Sequence, residues 1–219
     1  ILAPHYPTAA RAEAIVARAD RPVIATEYSH ALAEDGFGGH ADRWEALTRN
    51  PSGAGGTIWM WQDQGLWQTR RTASGVEKKL LLPLDGRDGI VTADRRPQRD
   101  YYETKAAYAP VRVLMEKAVL TPGQRVISIP VRNEFDFTEL ARVKVRWKLM
   151  WGEREKAAGE ARLSAAPHTT TALDLPVDCE TSEPCYAHIA FLREDESEIT
   201  RRSVEFTARR AARWTWSSR

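Results

Sequence analysis

Two periodicities divide this chain. Up to about residue 108, apolar positions fall at helical spacing or in short unbroken runs; beyond about residue 111 they alternate. Between Thr8 and Asp20 the spacing of Ala9, Ala12, Ile15, Val16 and Ala19 predicts a helix, capped by Thr8 and broken at Arg21-Pro22. Val23-Ile24-Ala25-Thr26 is an unbroken run of the kind buried on both faces of a parallel sheet. A second helix is expected over 41–49, ended by Asn50-Pro51, and a second apolar strand over Thr57-Ile58-Trp59-Met60-Trp61. With a further helix over 99–108, the alternation is that of a parallel sheet or barrel.

The second half reads differently. Val143, Val145, Trp147, Leu149 and Trp151 alternate with Lys144, Arg146 and Lys148, and 125–132 alternates in the same way. Further strands are expected over 111–117, 157–165, 170–177, 186–193 and 202–207. About seven short strands in roughly a hundred residues is the profile of an immunoglobulin-like sandwich, here without the Cys–Trp–Cys core signature. The organisation is therefore α/β over 1–109, all-β over 110–208, and a basic tail or linker over 209–219.

Composition narrows the partners. The 219 residues carry a formal net charge of +2, and the arginines form no stripe, so nucleic acid is not an expected partner. Nor is a membrane, because no apolar run approaches the ~18 residues needed to cross one. The first residues, Ile1 to Pro7, do not read as a signal peptide and lack a starting Met. The chain thus reads as beginning inside a longer protein, and its localisation stays open. Eight tryptophans are many; most read as core, although indole faces also stack on sugar rings. Cys179 and Cys185 lack zinc spacing, so no metal site is expected there, and a hairpin disulfide or two thiols both fit.

Two residues stand out as candidate chemistry. Glu27 follows an apolar strand in Thr26-Glu27-Tyr28-Ser29-His30, and barrel chemistry collects at the C-terminal ends of strands. Its structural alternative is a loop cap or a partner for an arginine. Trp59, on the next strand, would face the same mouth as a platform for a pyranose, or else fill the core. The stretch 62–96 shows little periodicity, and an unstructured connection of about 35 residues is usually a functional or disordered loop. Its Asp63, Asp85, Asp88 and Asp94 suit a polar pocket, although Asp94-Arg95 reads better as an internal ion pair.

Four segments together resemble the β-galactosidases of glycoside hydrolase family 2. They are Arg21-Pro-Val-Ile-Ala-Thr-Glu-Tyr-Ser-His-Ala31, Gly55-Gly-Thr-Ile-Trp-Met-Trp-Gln-Asp-Gln64, Asp88-Gly-Ile-Val-Thr-Ala-Asp-Arg-Arg-Pro97 with Tyr101-Tyr-Glu-Thr-Lys105, and Arg132-Asn-Glu-Phe-Asp-Phe-Thr138. The resemblance implies the C-terminal part of a (β/α)8 TIM barrel followed by an immunoglobulin-like β-sandwich. It also implies a retaining β-glycosidase, with two carboxyl groups about 5 Å apart. Glu27 matches the nucleophile, Tyr6 the tyrosine that hydrogen-bonds it, His30 a contact to sugar hydroxyls, and Trp59 the wall of the sugar subsite. Asp88 stands where the best-known members have an Asn touching substrate and sodium, and Ala31-Leu-Ala-Glu-Asp35 departs from the family pattern.

The implied substrate is a terminal β-galactoside or a related β-linked sugar. The acid/base glutamate and the magnesium ligands belong to earlier strands than these. No cofactor is therefore expected in this chain, while magnesium and sodium are implied for the parent, which could also be a homo-oligomer. On the same ground the fragment alone is expected to be inactive. The rival class is a non-catalytic carbohydrate-binding or structural protein that uses the sandwich and the tryptophans.

Overall fold

The computed structural model describes residues 1–31, 39–82, 86–121, 123–177 and 185–208. The expectations for residues 32–35, Asp85, Cys179 and the tail 209–219 lie outside the described residues. The chain forms two compact units, Ile1–Tyr108 and Ala109–Arg219.

In the first unit, helix α1 (Ala9–Arg18) begins where Thr8 Oγ1 accepts the Arg11 N–H at 3.2 Å, as its capping sequence predicts. Strand β1 (Val23–His30) follows, then helix α2 (His40–Thr48) and strand β2 (Gly53–Trp59), parallel to β1. Residues 2–6 lie along β1 in the same direction, through Ile24 N–H to Leu2 O and Tyr6 N–H to Glu27 O. On the other side, residues 60–63 continue β2 and take up residues 88–91, with Gln62 and Val91 in parallel register. Four parallel segments thus run side by side; residues 2–6, β1 and β2 end at one edge, and the segment 88–91 begins there, level with Trp59.

Helices α1 and α2 cover one face of these strands. Ala12 and Val16 of α1, Val23, Ala25 and Tyr28 of β1, and Ala46 and Leu47 of α2 make a buried cluster. The expected burial of β1 on both faces does not occur. Ile24 is 36% exposed and Thr26 is exposed too, because the helices lie on the opposite face among the described residues. Nor does the strand end before Glu27: β1 continues through it to His30.

Residues 62–96 are not structureless. They contain a hairpin of β3 (Leu66–Thr72) and β4 (Gly75–Leu81), antiparallel in unbroken register. Nearly all its residues are exposed, so no buried face imposed a period of two on the sequence. Helix α3 (Arg99–Ala107) closes the unit.

The second unit holds β5 (Val111–Val113), β6 (Lys117–Leu120), β7 (Val126–Asn133), β8 (Lys144–Trp151), β9 (Arg154–Arg162), β10 (Thr170–Pro176), β11 (Cys185–Leu192) and β12 (Glu198–Ala208). They form a sheet in the order β10-β7-β5 and another in the order β6-β12-β11-β8-β9. Ile129, Val131 and Leu175 from the first sheet share one core with Val145, Ile189, Phe191, Val204 and Phe206 from the second. The strand expected over 111–117 is two, β5 and β6, in different sheets. Asn133, from the Arg132–Thr138 motif, is a buried staple. Its amide donates to Thr138 O and Ala165 O, and its Oδ1 accepts the Phe135 N–H.

Tryptophans are not mostly core among the described residues. Trp44, Trp147 and Trp151 pack against core clusters, whereas Trp59, Trp61 and Trp67 are exposed.

Candidate active site

The shared edge of the parallel segments gathers the residues singled out from sequence. Tyr6 ends the segment beside β1, and its backbone is left-handed, with φ at 45°. This conformation is uncommon for an aromatic residue and reads as a constraint held by its surroundings. From there the Tyr6 hydroxyl donates to Glu27 Oε2. Burial, then the hydrogen bond and charge of Glu27, push the phenol well above its usual pKa. Tyr6 is thus a fixed donor to the carboxylate and not a base.

His30 lies three residues beyond Glu27, its ring 5.8 Å from the Tyr6 ring and its Nδ1 3.2 Å from Ala31 O. Along the same strand Tyr28 points the other way. It is buried under α2, its hydroxyl donates to Tyr108 at 3.1 Å, and it stays in the core. Alternation on β1 thus separates the half-buried carboxylate of Glu27 from the packing of its neighbour.

Opposite His30 in register is Trp59, at the end of β2. It is 37% exposed, and its Nε1–H donates to Asp88 Oδ2 at 2.8 Å. An indole fixed at its nitrogen and open on its surface is not a core filler. Asp88 is itself 4% exposed, and its other oxygen, Oδ1, has no hydrogen-bond partner among the described residues.

What holds Asp88 there was not evident from sequence. Asp63 is buried, and its Oδ1 accepts the Gly89 N–H at 2.9 Å, while Gln98 Nε2 lies 3.1 Å from both its oxygens. Gln98 also donates to Gly89 O at 2.9 Å. A Cβ on Gly89 would come within 2.1 Å of the Asp63 nitrogen, so glycine is required for this approach. The Gly after Asp88 was the one available signal. The expected Asp94–Arg95 pair is not formed. Asp94 pairs with Arg96 at 2.9 Å, because Arg95 turns through a left-handed backbone.

The site therefore presents a carboxylate with a hydroxyl donor, an imidazole, an open indole and a second carboxylate along one edge. Comparison with known proteins gives this arrangement a context. The family model described as Glycosyl hydrolases family 2, TIM barrel domain, matches residues 5–113, and that described as Beta-galactosidase, domain 4, matches residues 129–217. A β-galactosidase of Aeromonas hydrophila is 30% identical over 165 residues, covering 71% of this chain and 15% of that protein. Those of Erwinia tasmaniensis and Actinobacillus pleuropneumoniae are each 29% identical, over 164 and 159 residues, with the same coverage. The chain thus spans about 15% of the length of the curated relatives it matches. By the two family matches and these relatives, the chain belongs to glycoside hydrolase family 2 and is β-galactosidase-like.

Proposed function

We propose that this chain is the nucleophile-bearing part of a retaining β-glycosidase acting on terminal β-galactosides. In this reading the first unit is the C-terminal part of a (β/α)8 barrel and the second an immunoglobulin-like sandwich. The observation that carries the chemistry is the Tyr6 hydroxyl donating to Glu27 Oε2 at the C-terminal edge of parallel strands.

The carboxylate of Glu27 attacks the anomeric carbon as the bond to the leaving oxygen breaks. A second carboxyl group, from an earlier segment of the longer protein, gives that oxygen its proton. The same group then takes a proton from water, whose oxygen attacks the anomeric carbon and frees Glu27. The Tyr6 donor orients the carboxylate and stabilises its charge between turnovers. His30 offers a ring nitrogen to sugar hydroxyls, and the Trp59 face takes the apolar side of the pyranose.

A sodium ion fits Asp88, whose buried Oδ1 has no donor among the described residues, since a hard cation takes oxygen ligands. It would supply a positive anchor for a sugar hydroxyl. Magnesium ligands are assigned to earlier strands by the family resemblance, and no step here runs through either ion.

The test uses the intact protein that carries this chain. A 2-deoxy-2-fluoro-β-galactoside should inactivate it, with the added mass on the peptide containing Glu27. Label on another carboxylate would overturn the assignment, and galactoside binding without label or turnover would favour a non-catalytic binding protein.

A further inference from the structure

Away from Glu27, helices α2 and α3 bring together a group that the proposed glycosidase chemistry does not use. His40, the first residue of α2, is 0% exposed, and neither of its ring nitrogens has a hydrogen-bond partner among the described residues. A neutral imidazole carries one N–H and one lone pair, so a dry site should provide a partner for each. Two unpaired nitrogens inside a core are less favourable than an apolar side chain of similar volume. His40 therefore asks for a partner that the described residues do not provide.

Two carboxylates face it. Asp100 is buried, and its Oδ1 lies 4.0 Å from His40 Nε2, beyond hydrogen-bond range. Glu103 is partly buried, and its Oε1 accepts the Ala41 N–H at 3.3 Å. Asp100 and Glu103 are three residues apart on α3 and so share a helix face. One ligand atom from each of His40, Asp100 and Glu103 lies within 4.8 Å of the others. Around a tetrahedral ion with bonds near 2.1 Å, ligand atoms sit about 3.4 Å apart, so closing the set takes shifts of about an ångström. Burial is the largest influence on His40 and lowers its pKa, which favours the neutral ring.

We propose that His40, Asp100 and Glu103 bind a divalent transition-metal ion of the zinc class, with solvent as a further ligand. One imidazole and two carboxylates make a donor set that zinc accepts and that leaves the site neutral overall with a dication. The ion pins the start of α2 to α3. His40 also meets Tyr28 edge-on, with ring centroids 6.5 Å apart, so the ion braces the strand that bears Glu27. Its role is structural, and it is separate from the sodium fit at Asp88.

The test compares the intact protein with its His40→Leu, Asp100→Asn and Glu103→Gln variants after chelator treatment and dialysis. Zinc titration followed by calorimetry should show one more equivalent in the parent than in His40→Leu. Cobalt should give visible d–d absorption in the parent that His40→Leu lacks. The two carboxylate variants should bind zinc about tenfold more weakly or worse, since loss even of an outer-shell partner has that effect. They also serve if His40→Leu does not fold. Zinc should raise the melting temperature of the parent by several degrees and leave His40→Leu unmoved. Equal stoichiometry and equal cobalt spectra in parent and variants would overturn the proposal. Fluoro-sugar labelling of Glu27 is independent of either outcome.

Discussion

The two units treat polar groups differently. In the second unit a single core joins both sheets, and its buried Asn133 is satisfied at both ends of its amide. In the first unit the apolar clusters are small. The buried side-chain atoms without a partner, on His40, Asp88 and Thr104, all belong to it among the described residues. Its aromatic rings also stand open, with Trp59, Trp61 and Trp67 exposed, whereas Trp147 and Trp151 pack against the core of the second unit. A region selected to hold itself together pairs its polar groups. A region selected to hold something else leaves some of them waiting.

The strongest way to break this comparison is to separate the units. Residues 110–208 alone should melt cooperatively and resist limited proteolysis, because both sheets of the shared core lie within that span. Residues 1–108 alone should be cleaved readily. Ile24, Thr26 and Trp59 leave one side of the parallel segments open, and β1 and β2 bury little without it. With the acid/base carboxyl group proposed to come from an earlier segment, the whole chain should not hydrolyse a chromogenic β-galactoside. Turnover abolished by Glu27→Gln would show that the acid/base residue lies within this chain. A protease-resistant 1–108 would show that the first unit is self-sufficient.

Legibility from sequence follows the same division. Strands β7 to β11 lie close to where alternation predicts them, because one buried face marks every second residue. α1 was readable from Thr8, Pro7 and the spacing of Ala12 and Val16. The hairpin β3–β4 was not, since neither of its faces is buried and Trp67 and Val76 lie in the open. The split between β5 and β6 was hidden too, because a strand that changes sheet keeps its apolar character. At the site, Tyr6, Glu27, His30, Trp59 and Asp88 were found through motif resemblance, and the structure brings them to one edge. Asp63 and Gln98 were missed as supports for Gly89, because their role depends on a contact across 26 and 9 residues of chain. Nothing in the sequence distinguishes His40, which lies just before the helix expected over 41–49; its burial marks it.

A second prediction compares energies. Phe191 is fully buried where the sheets of the second unit meet. Phe191→Ala should destabilise that unit by about 3–5 kcal/mol in denaturant unfolding, the transfer and cavity cost of a core aromatic. It should leave fluoro-sugar labelling of Glu27 in the intact protein unchanged under native conditions. A loss below about 1 kcal/mol would mean that the shared core is looser than its burial suggests.

The smallest expected stability effect, and the most informative, is at Trp59. It is larger than Phe191 but 37% exposed, with its nitrogen fixed on Asp88 Oδ2 at 2.8 Å. Trp59→Ala removes that hydrogen bond, a net of about 1 kcal/mol, but opens little cavity because one side already meets solvent. Stability should therefore fall by roughly 1–2 kcal/mol, well short of a core aromatic. Activity of the intact protein should fall much further, in KM, kcat or both, if the indole face holds the sugar. Trp59→Phe separates the two contributions, because it keeps an aromatic face and loses only the N–H. It should recover much of the substrate binding while leaving Asp88 without that donor. Thermal melts and steady-state kinetics on the two variants check this directly. A stability loss of about 3–5 kcal/mol with unchanged kinetics would make Trp59 a packing residue and erase the contrast between the two units at this position.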